Sequence, residues 1–424
     1  MRKLGNVSRT TLFLILCMVL CAFGCQSSQL VHSDSNKQQP ISEPTSAPTA
    51  AVTPEPTPEP TVTPYAPEII TVRFVGDIMV SKPMILSAEQ PDGSYRFDDI
   101  YTEIAKELRG ADLMIGNLET PIAGVENDGF TGNPRFNAPD EFLTAIHDSG
   151  FNVLTNANNH LLDRGVDGAI DTIQKIRKLG MLQTGAFISA EDAQQLLITE
   201  IRGVKICILA YSYHSTRTER PQDRVALQWL RNYNEPDKMK EDIKKAREQG
   251  ADVVIVFTHM GTEGSYEPNR LQRDMAKHLV NCGVDAAIFC HTHAVQPLER
   301  LTAPDGREIP VAYSLGNFLA DGKYRMSRSG MILELSVTVD RQACTVNVDH
   351  VRYVPSYSHQ EERDGFMYFK LYAAGVAMND PNLSPETRSL AKISWDTVTK
   401  TVGEDYAQAT RSFSDSCSVL ERLG

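Results

Sequence analysis

At roughly 100–200 residues per domain, the 424 residues of this chain allow one large domain or a few small ones. A hydrophobic content of 41% is enough for a sizeable core. The net charge of −12, from 42 basic and 54 acidic residues, argues against a basic surface, so we expect no nucleic-acid partner. The 8 cysteines are too few for a disulfide-stabilised fold, and a mean hydropathy of −0.28 excludes a multi-span membrane protein.

Residues 1–25 have the pattern of a bacterial lipoprotein signal. Basic residues precede the uncharged apolar run Thr11–Gly24, which suits a secretory signal and is too short to span a bilayer comfortably. Ala22 and Gly24 are small residues before Cys25, as in a lipobox, so Cys25 is the predicted lipidated residue. An uncleaved signal anchor, or cleavage after another small residue, is the alternative.

The next segment, residues 26–66, is rich in Pro, Thr, Ser and Glu. Nine of the 23 prolines fall between residues 40 and 67. Such a composition cannot bury a core, so we expect a disordered, extended spacer. With the lipid on Cys25, it would hold a globular body, residues 67–355, outside the cytoplasmic membrane. Residues 356–424 form a predicted carboxyl-terminal extension that is mostly helical by pattern.

From residue 67 onward, short β-rich apolar runs alternate with segments of helical spacing. In chain order the predicted elements are strand Ile69–Val75, helix Asp99–Leu108, strand Ala111–Ile115, helix Glu141–Ser149, strand Asn152–Thr155, helix Asp167–Leu179, strand Val204–Ala210, helix Pro236–Gln249, strand Asp252–Phe257, helix Leu271–Cys282 and strands Ala286–Phe289, Val311–Ser314, Met331–Val339 and Cys344–Val354. This alternation predicts an α/β fold whose purely apolar strands are covered on both faces.

Five of the apolar strands end in side chains that can bind metals or protons. These are Asp77, then Asn117 and Glu119, then Asn158, Asn159 and His160, then His259, and finally His291 and His293. Because parallel strands end at one edge of a sheet, we expect these residues to converge. Their mixed nitrogen and oxygen atoms suit Mn²⁺, Fe or Zn²⁺ better than Ca²⁺, which predicts a centre of one or two divalent ions. Considered singly, Asp77 could instead be a turn residue, and His259 could be a hydrogen-bonded histidine that binds no metal.

As an ordered set, these motifs resemble the calcineurin-like metallophosphoesterase fold and, more closely, the CapA (PgsA) family associated with bacterial poly-γ-glutamate capsule synthesis. The motifs are Val75-Gly76-Asp77, Gly116-Asn117-Leu118-Glu119-Thr120, Ala157-Asn158-Asn159-His160, Thr258-His259-Met260-Gly261, His291-Thr292-His293 and Ser314-Leu315-Gly316-Asn317-Phe318. The resemblance covers residues 69–320 and implies a four-layer α/β/β/α sandwich.

The resemblance implies a role for each residue. The implied metal ligands are Asp77, Glu119, Asn159, His259, His291 and His293. Glu119 would be the bridging carboxylate, with Asn117 as the alternative. The implied catalytic residues are His160, as a general acid, and Asp163 and Glu263, which would orient histidines or contact the substrate.

Two positions depart from the phosphoesterase pattern. Met79 stands where that pattern has a histidine, and a thioether is a poor ligand for hard divalent ions. Asn117 stands where an aspartate is expected and carries no charge. One ion position has therefore lost ligands, so the number of ions stays open and phosphoesterase activity does not follow from the fold.

The resemblance implies a membrane-anchored protein outside the cytoplasm that acts in the biosynthesis, export or attachment of poly-γ-glutamate or a similar envelope polymer, with a metal-dependent hydrolase or transferase site. ATP-dependent ligation is excluded because the sequence has no Gly-rich P-loop. Two alternatives stay open: a metal-dependent phosphoesterase acting on envelope phosphoesters, and a non-catalytic polymer-binding or scaffold subunit.

The implied partners are the membrane, through the lipid anchor, a polyanionic polymer and the membrane subunits of a capsule synthesis complex. A net charge of −12 repels a polyanion, so binding would need bound cations or an arginine-bearing loop such as Arg217–Arg224. That loop also contains Glu219 and Asp223, which is typical of a solvated surface.

Overall fold

The computed structural model describes residues 67–213, 226–227, 237–322, 325–403 and 408–416. The predictions for residues 1–66, which include the lipidated Cys25, and for the loop Arg217–Arg224 lie outside these residues. Within the part of the chain that is described, no helix is both long enough and apolar enough to cross a membrane.

Strands alternate with helices over most of the described chain. In order, the strands are β1 (Glu68–Ile78), β2 (Leu113–Leu118), β3 (Val153–Thr155), β4 (Leu182–Thr184), β5 (Ala186–Phe187), β6 (Leu197–Ile201), β7 (Val204–Ser212), β8 (Ala226–Leu227), β9 (Val253–His259), β10 (Ala286–Cys290), β11 (Leu298–Thr302), β12 (Glu308–Ala312), β13 (Asn317–Leu319), β14 (Ser329–Asp340), β15 (Thr345–Arg363), β16 (Phe366–Ala373) and β17 (Gln408–Ala409). The helices are α1 (Lys82–Ala88), α2 (Asp98–Tyr101), α3 (Ala105–Leu108), α4 (Asp140–Ser149), α5 (Gly165–Lys178), α6 (Asp237–Glu248), α7 (Arg270–Asn281), α8 (Ala374–Ala377) and α9 (Pro385–Val402).

Two large sheets are built from these strands. In the described residues, the first sheet runs in the order β16-β15-β14-β1-β2-β3-β4, with β13 beside β1 and β17 beside β15. The second sheet runs in the order β11-β12-β10-β9-β7-β6. β1, β2 and β3 are parallel to one another, and so are β7, β9 and β10. Five of these six strands, all except β7, therefore carry the predicted strand-end residues to one edge of each sheet.

The two sheets share an apolar core. Phe74 of β1 and Phe257 of β9 are both buried in it, with ring centroids 6.4 Å apart. The other face of the first sheet packs on α1 and α4 through residues such as Met84 and Phe142, and that of the second sheet packs on α6 and α7 through residues such as Ile243. The predicted fold class, a four-layer α/β/β/α sandwich, is confirmed.

At the end of β1, the backbone of another strand comes very close. β13 is parallel to β1, with Asp77 beside Asn317. A Cβ atom on Gly76 would lie 1.9 Å from the carbonyl oxygen of Gly316, so only glycine fits at this position. The close approach brings the side chains of Asp77 and Asn317 to the same level of the sheet.

The carboxyl-terminal segment is part of the sandwich. The predicted boundary at residue 355 falls inside β15, and residues 366–373 form the strand β16 where the pattern predicts mostly helix. The helical part of the extension is α9, and its Val398 is buried in the shared core. Beyond it, β17 pairs with β15, and the buried carboxylate of Glu107 accepts hydrogen bonds from Ser412 and from the backbone of Phe413.

Candidate metal centre

The predicted residues converge where the parallel strands of both sheets end. Asp77 of β1 is the register partner of Asn117 in β2 and of Asn317 in β13. In the second sheet, His259 ends β9 and is the register partner of Cys290, which ends β10. All five side chains are buried, so the two edges form one polar cluster inside the molecule.

Three groups of side chains in this cluster could each hold an ion, because their candidate ligand atoms lie within 4.8 Å of one another. The first triad is Asp77, Glu119 and His293. The second triad is Glu119, His259 and His291. The third triad is Asp77, His259 and Cys290.

In the second triad, two imidazoles, a carboxylate and an amide share one space. Nε2 of His259 lies 2.7 Å from Oδ1 of Asn159, 3.0 Å from Nδ1 of His291 and 3.3 Å from Oε1 of Glu119. These four atoms are close enough together for each of them to bind a single ion at about 2.0–2.2 Å. The structure therefore places Asn159 with the second triad.

In the first triad, Asp77 has several partners. Its Oδ1 accepts a hydrogen bond from Nδ2 of Asn117 at 2.8 Å, and its Oδ2 accepts one from the backbone N–H of His291 at 3.1 Å. Nδ1 of His293 lies 3.3 Å from the same Oδ2. Burial alone would raise the pKa of Asp77, but the hydrogen bond from His293 and the charges of His259 and His293 hold it below its ordinary value. Asp77 is therefore an anion.

The carboxylates of the cluster stabilise positive charge on its imidazoles. Burial would lower the pKa of His293, but its hydrogen bond to Asp77 and the charges of Glu119, Asp77 and Glu263 raise it to about 10. The same carboxylates that favour a proton on this imidazole favour a divalent cation in its place.

Glu119 is the clearest indication of a bound cation. Its side chain is fully buried, and no described group donates a hydrogen bond to either carboxylate oxygen. A buried carboxylate to which no described group donates a hydrogen bond is costly even with the imidazole of His259 3.3 Å away, whereas a coordinated metal ion satisfies it. Because Glu119 belongs to both the first and the second triad, two ions would share it. The donor set fits Mn²⁺, Fe or Zn²⁺.

Asn117, the alternative bridging residue, is already engaged. Its amide nitrogen donates to Asp77 and lies 3.2 Å from Nδ1 of His259, and its oxygen accepts a hydrogen bond from Nδ2 of Asn158 at 3.1 Å. The geometry therefore favours Glu119 as the bridge. The amide nitrogen of Asn117 lies between Asp77 and His259, which is where an ion in the third triad would bind. The third triad therefore holds this hydrogen-bond donor in place of an ion.

Cys290 and Asn317 are cluster members to which sequence reasoning gives no role. Cys290 lies in an apolar run that predicts only a buried thiol, yet its Sγ is 3.2 Å from Nδ1 of His259. Burial, together with the charges of Asp77 and Glu119, raises the pKa of this thiol well above its ordinary value. Two features of the sequence could have indicated these residues. Cys290 directly precedes His291, and Asn317 lies inside a strand-end motif.

His160 and Asp163 form a hydrogen-bonded pair next to the triads. Nδ1 of His160 lies 2.8 Å from Oδ2 of Asp163, which also accepts a hydrogen bond from the backbone N–H of Phe136 at 2.8 Å. Burial would lower the pKa of His160, but its hydrogen bond to Asp163 and the charges of Glu119 and Asp163 raise it. The pair can therefore hold a proton in a fixed orientation.

A pocket of about 740 Å³ opens beside the first triad. Its walls include Met79, Lys82, Phe136, Glu263, His293 and Asn317. Glu263 is exposed on this wall, so the structure places it at the pocket and outside the buried cluster. The pocket gives a substrate direct access to the first triad.

Two curated relatives resemble this chain. The capsule biosynthesis protein CapA of Bacillus anthracis is 26% identical over 277 residues, which are 63% of this chain and 64% of that protein. The PGA biosynthesis protein CapA of Bacillus subtilis is 27% identical over 282 residues, which are 64% of this chain and 69% of that protein. The match thus spans about two thirds of the length of each relative.

Among solved structures, the sulfate thiohydrolase SoxB of Thermus thermophilus, in complex with glycerol, aligns over 79% of this chain and 61% of that chain, with a TM-score of 0.38 and 11% identity. The bacterial capsule synthesis protein model, PGA_cap, matches residues 71–322, which is more than half of the 424 residues and contains all three triads. The chain therefore belongs to the PGA_cap family of bacterial capsule synthesis proteins.

Proposed function

We propose that this chain is a lipid-anchored protein outside the cytoplasmic membrane that acts in the synthesis, export or attachment of poly-γ-glutamate or a similar envelope polymer, through a centre of two divalent ions. Its membership of the capsule synthesis family and the names of the two Bacillus relatives support the polymer. The signal pattern and spacer of residues 1–66 support the anchored location.

The observation that carries the metal centre is the buried carboxylate of Glu119, which has no described hydrogen-bond donor and lies in two ligand triads at once. The first triad would hold one ion, and the second triad with Asn159 would hold the other. Such ions polarise a substrate oxygen and lower the pKa of water. His160 is placed to give a proton to a leaving group, because Asp163 fixes its imidazole and raises its pKa.

A polyanionic polymer can approach this centre although the chain is acidic overall. Bound cations would offset the carboxylates of the triads. On the pocket wall, Lys82 is opposed by the carboxylates of Glu263 and Asp321, so the ions would supply the attraction for a polyanion. The proposed reaction is hydrolysis or transfer at an amide or phosphoester, with membrane subunits of a capsule synthesis complex as partners.

Metal content is the first test. We would purify the full chain in detergent without chelator and measure bound metal by mass spectrometry. We expect two equivalents of a transition metal, and close to none in the variant Asp77→Ala/His291→Ala. The variant His147→Ala/Asp148→Ala removes an exposed pair on α4 and should keep both ions. Wild-type protein with no more metal than the triad variant, even after addition of Mn²⁺ and Zn²⁺, would contradict the proposal.

Capsule production separates the enzyme from a scaffold. In cells that lack the native protein, we expect the wild-type chain to restore envelope polymer and the triad variant to fail, with polymer measured as amino acids after acid hydrolysis. Full production by the triad variant would indicate a non-catalytic subunit.

The position of the His160–Asp163 pair beside two ion sites also favours a second candidate, a phosphoesterase acting on envelope phosphoesters. Turnover of an aryl phosphate diester with Mn²⁺, lost in His160→Ala, would support that candidate. Turnover of a γ-glutamyl amide under the same conditions would support the polymer.

A further inference from the structure

We propose that Asn317 is a metal ligand, and that its amide oxygen completes the first triad as that of Asn159 completes the second. The inference rests on the proposed metal centre and concerns which side chains hold its first ion.

The two asparagines have the same surroundings. In the second triad, an imidazole nitrogen of His259 lies 2.7 Å from Oδ1 of Asn159 and 3.3 Å from a carboxylate oxygen of Glu119. In the first triad, Nδ1 of His293 lies 2.9 Å from Oδ1 of Asn317 and 3.3 Å from Oδ2 of Asp77. In each position an imidazole nitrogen therefore lies close to one amide oxygen and one carboxylate oxygen. The second position also has the imidazole of His291, and Glu119 belongs to both triads.

The amide of Asn317 is held with its oxygen toward the triad. Its nitrogen donates a hydrogen bond to the backbone oxygen of Ser327 at 2.9 Å, which leaves Oδ1 on the side of His293. The side chain is 2% exposed, and the parallel pairing of β13 with β1 fixes it beside Asp77. A buried amide oxygen in this position is a hard donor that suits a divalent ion.

The first ion needs this donor. The first triad supplies three ligands from described carboxylates and imidazoles, one fewer than the four donor atoms that the second triad has together with Asn159. Met79 lines the same pocket two residues after Asp77, but its thioether binds hard ions poorly. Asn317 fills the gap from the neighbouring strand.

The competing role for Asn317 is to orient His293 by accepting its Nδ1–H. The two roles differ in what can replace the side chain. A missing ligand can be supplied from another position at the same ion, whereas a missing hydrogen-bond acceptor for His293 cannot. Met79→His places an imidazole at the first ion and does not restore an acceptor.

The experiment is a titration of the metal-free full chain with Mn²⁺, followed by calorimetry and by the electron paramagnetic resonance signal of two coupled ions. We expect two ions in the wild type. Losing an outer hydrogen-bond partner usually weakens metal binding by roughly 10- to 100-fold. In Asn317→Ala, we expect the affinity for the first ion to fall by more than this, and the signal of two coupled ions to disappear. Asn317→Asp and Asn317→Ala/Met79→His should both regain two ions.

A matched control is Asn156→Ala, which removes an equally buried asparagine whose oxygen accepts from Gln183, and it should keep both ions. Two tightly bound ions in Asn317→Ala would overturn the inference and leave the proposed centre intact. A loss that Met79→His does not repair would assign Asn317 to positioning and also overturn it. A wild-type chain that binds no Mn²⁺ would remove the proposed function itself.

Discussion

Two carboxylates, Glu107 and Glu119, are equally buried but differ in what surrounds them. Glu107 accepts hydrogen bonds from Ser412 and from the backbone of Phe413, so its charge is satisfied by the protein. Glu119 has no described donor. The first carboxylate is therefore satisfied by hydrogen bonds, while the second has only neighbouring imidazoles such as that of His259 to offset its burial until a metal ion binds.

This contrast predicts stability changes of opposite sign. In the presence of EDTA, Glu119→Gln should raise the free energy of unfolding by about 1–3 kcal/mol, because it removes an unsatisfied buried charge. Glu107→Gln should lower it by a similar amount, because it weakens two bonds to a charged acceptor. Urea unfolding followed by circular dichroism measures both. Destabilisation of the metal-free protein by Glu119→Gln would show that its charge already has a partner.

The sequence predicts well those site residues that directly follow an apolar strand. Asp77, His259 and His291 lie at strand ends, and the structure brings them together. Cys290 and Asn317 could not be predicted in the same way, because their significance depends on which strands become neighbours in space. The choice of Glu119 over Asn117 likewise depends on hydrogen bonds that only the folded chain makes.

At the scale of elements, the site depends on how closely β13 approaches β1. Gly76 leaves no room for a side chain against the backbone of Gly316. The backbone N–H of Asp77 also donates to the carbonyl of Gly316 at 3.2 Å. Any increase in this spacing moves Asn317 away from Asp77.

Gly76→Ala should therefore lower both stability, by about 1–3 kcal/mol, and the affinity for the first ion. Gly93→Ala is the control: its position has open space but a φ of +85°, so it tests the backbone cost of alanine without a contact. Calorimetric Mn²⁺ binding should weaken in Gly76→Ala alone. Equal binding in both variants would mean that the strand spacing does not set the ion site.

Some predictions of helices and strands were wrong because tertiary contacts, and not the hydrophobic pattern of the sequence, decide the secondary structure there. The predicted helix Asp99–Leu108 is divided into α2 and α3 by a turn in which the backbone N–H of Ile104 donates to the carbonyl of Tyr101. β4 has only three residues and β6 is half-buried, so neither shows clear alternation. β16 lies in a segment predicted to be mostly helical. Its pairing with β15 and the burial of Phe369 and Leu371 in the core between the first sheet and its helices make it a strand.

At the scale of the whole molecule, the proposed lipid anchor and spacer would hold the sandwich outside the membrane. Cys25→Ala should abolish incorporation of labelled palmitate, because the acylated thiol is removed. Cys21→Ala, which changes another cysteine of the signal segment, should still be labelled. Incorporation of labelled palmitate into Cys25→Ala would show that a residue other than Cys25 carries the lipid.

The pairing of β1 with β14 has a consequence for how the chain is made. Arg73 and Glu334 form a buried ion pair at 2.8 Å across these strands, although 261 positions separate them in the sequence. During synthesis, β1 leaves the ribosome long before its partner, so the first sheet stays open until most of the chain has emerged. The complete first sheet, and with it the closed sandwich, can therefore form only late in synthesis, after residue 334 has been added.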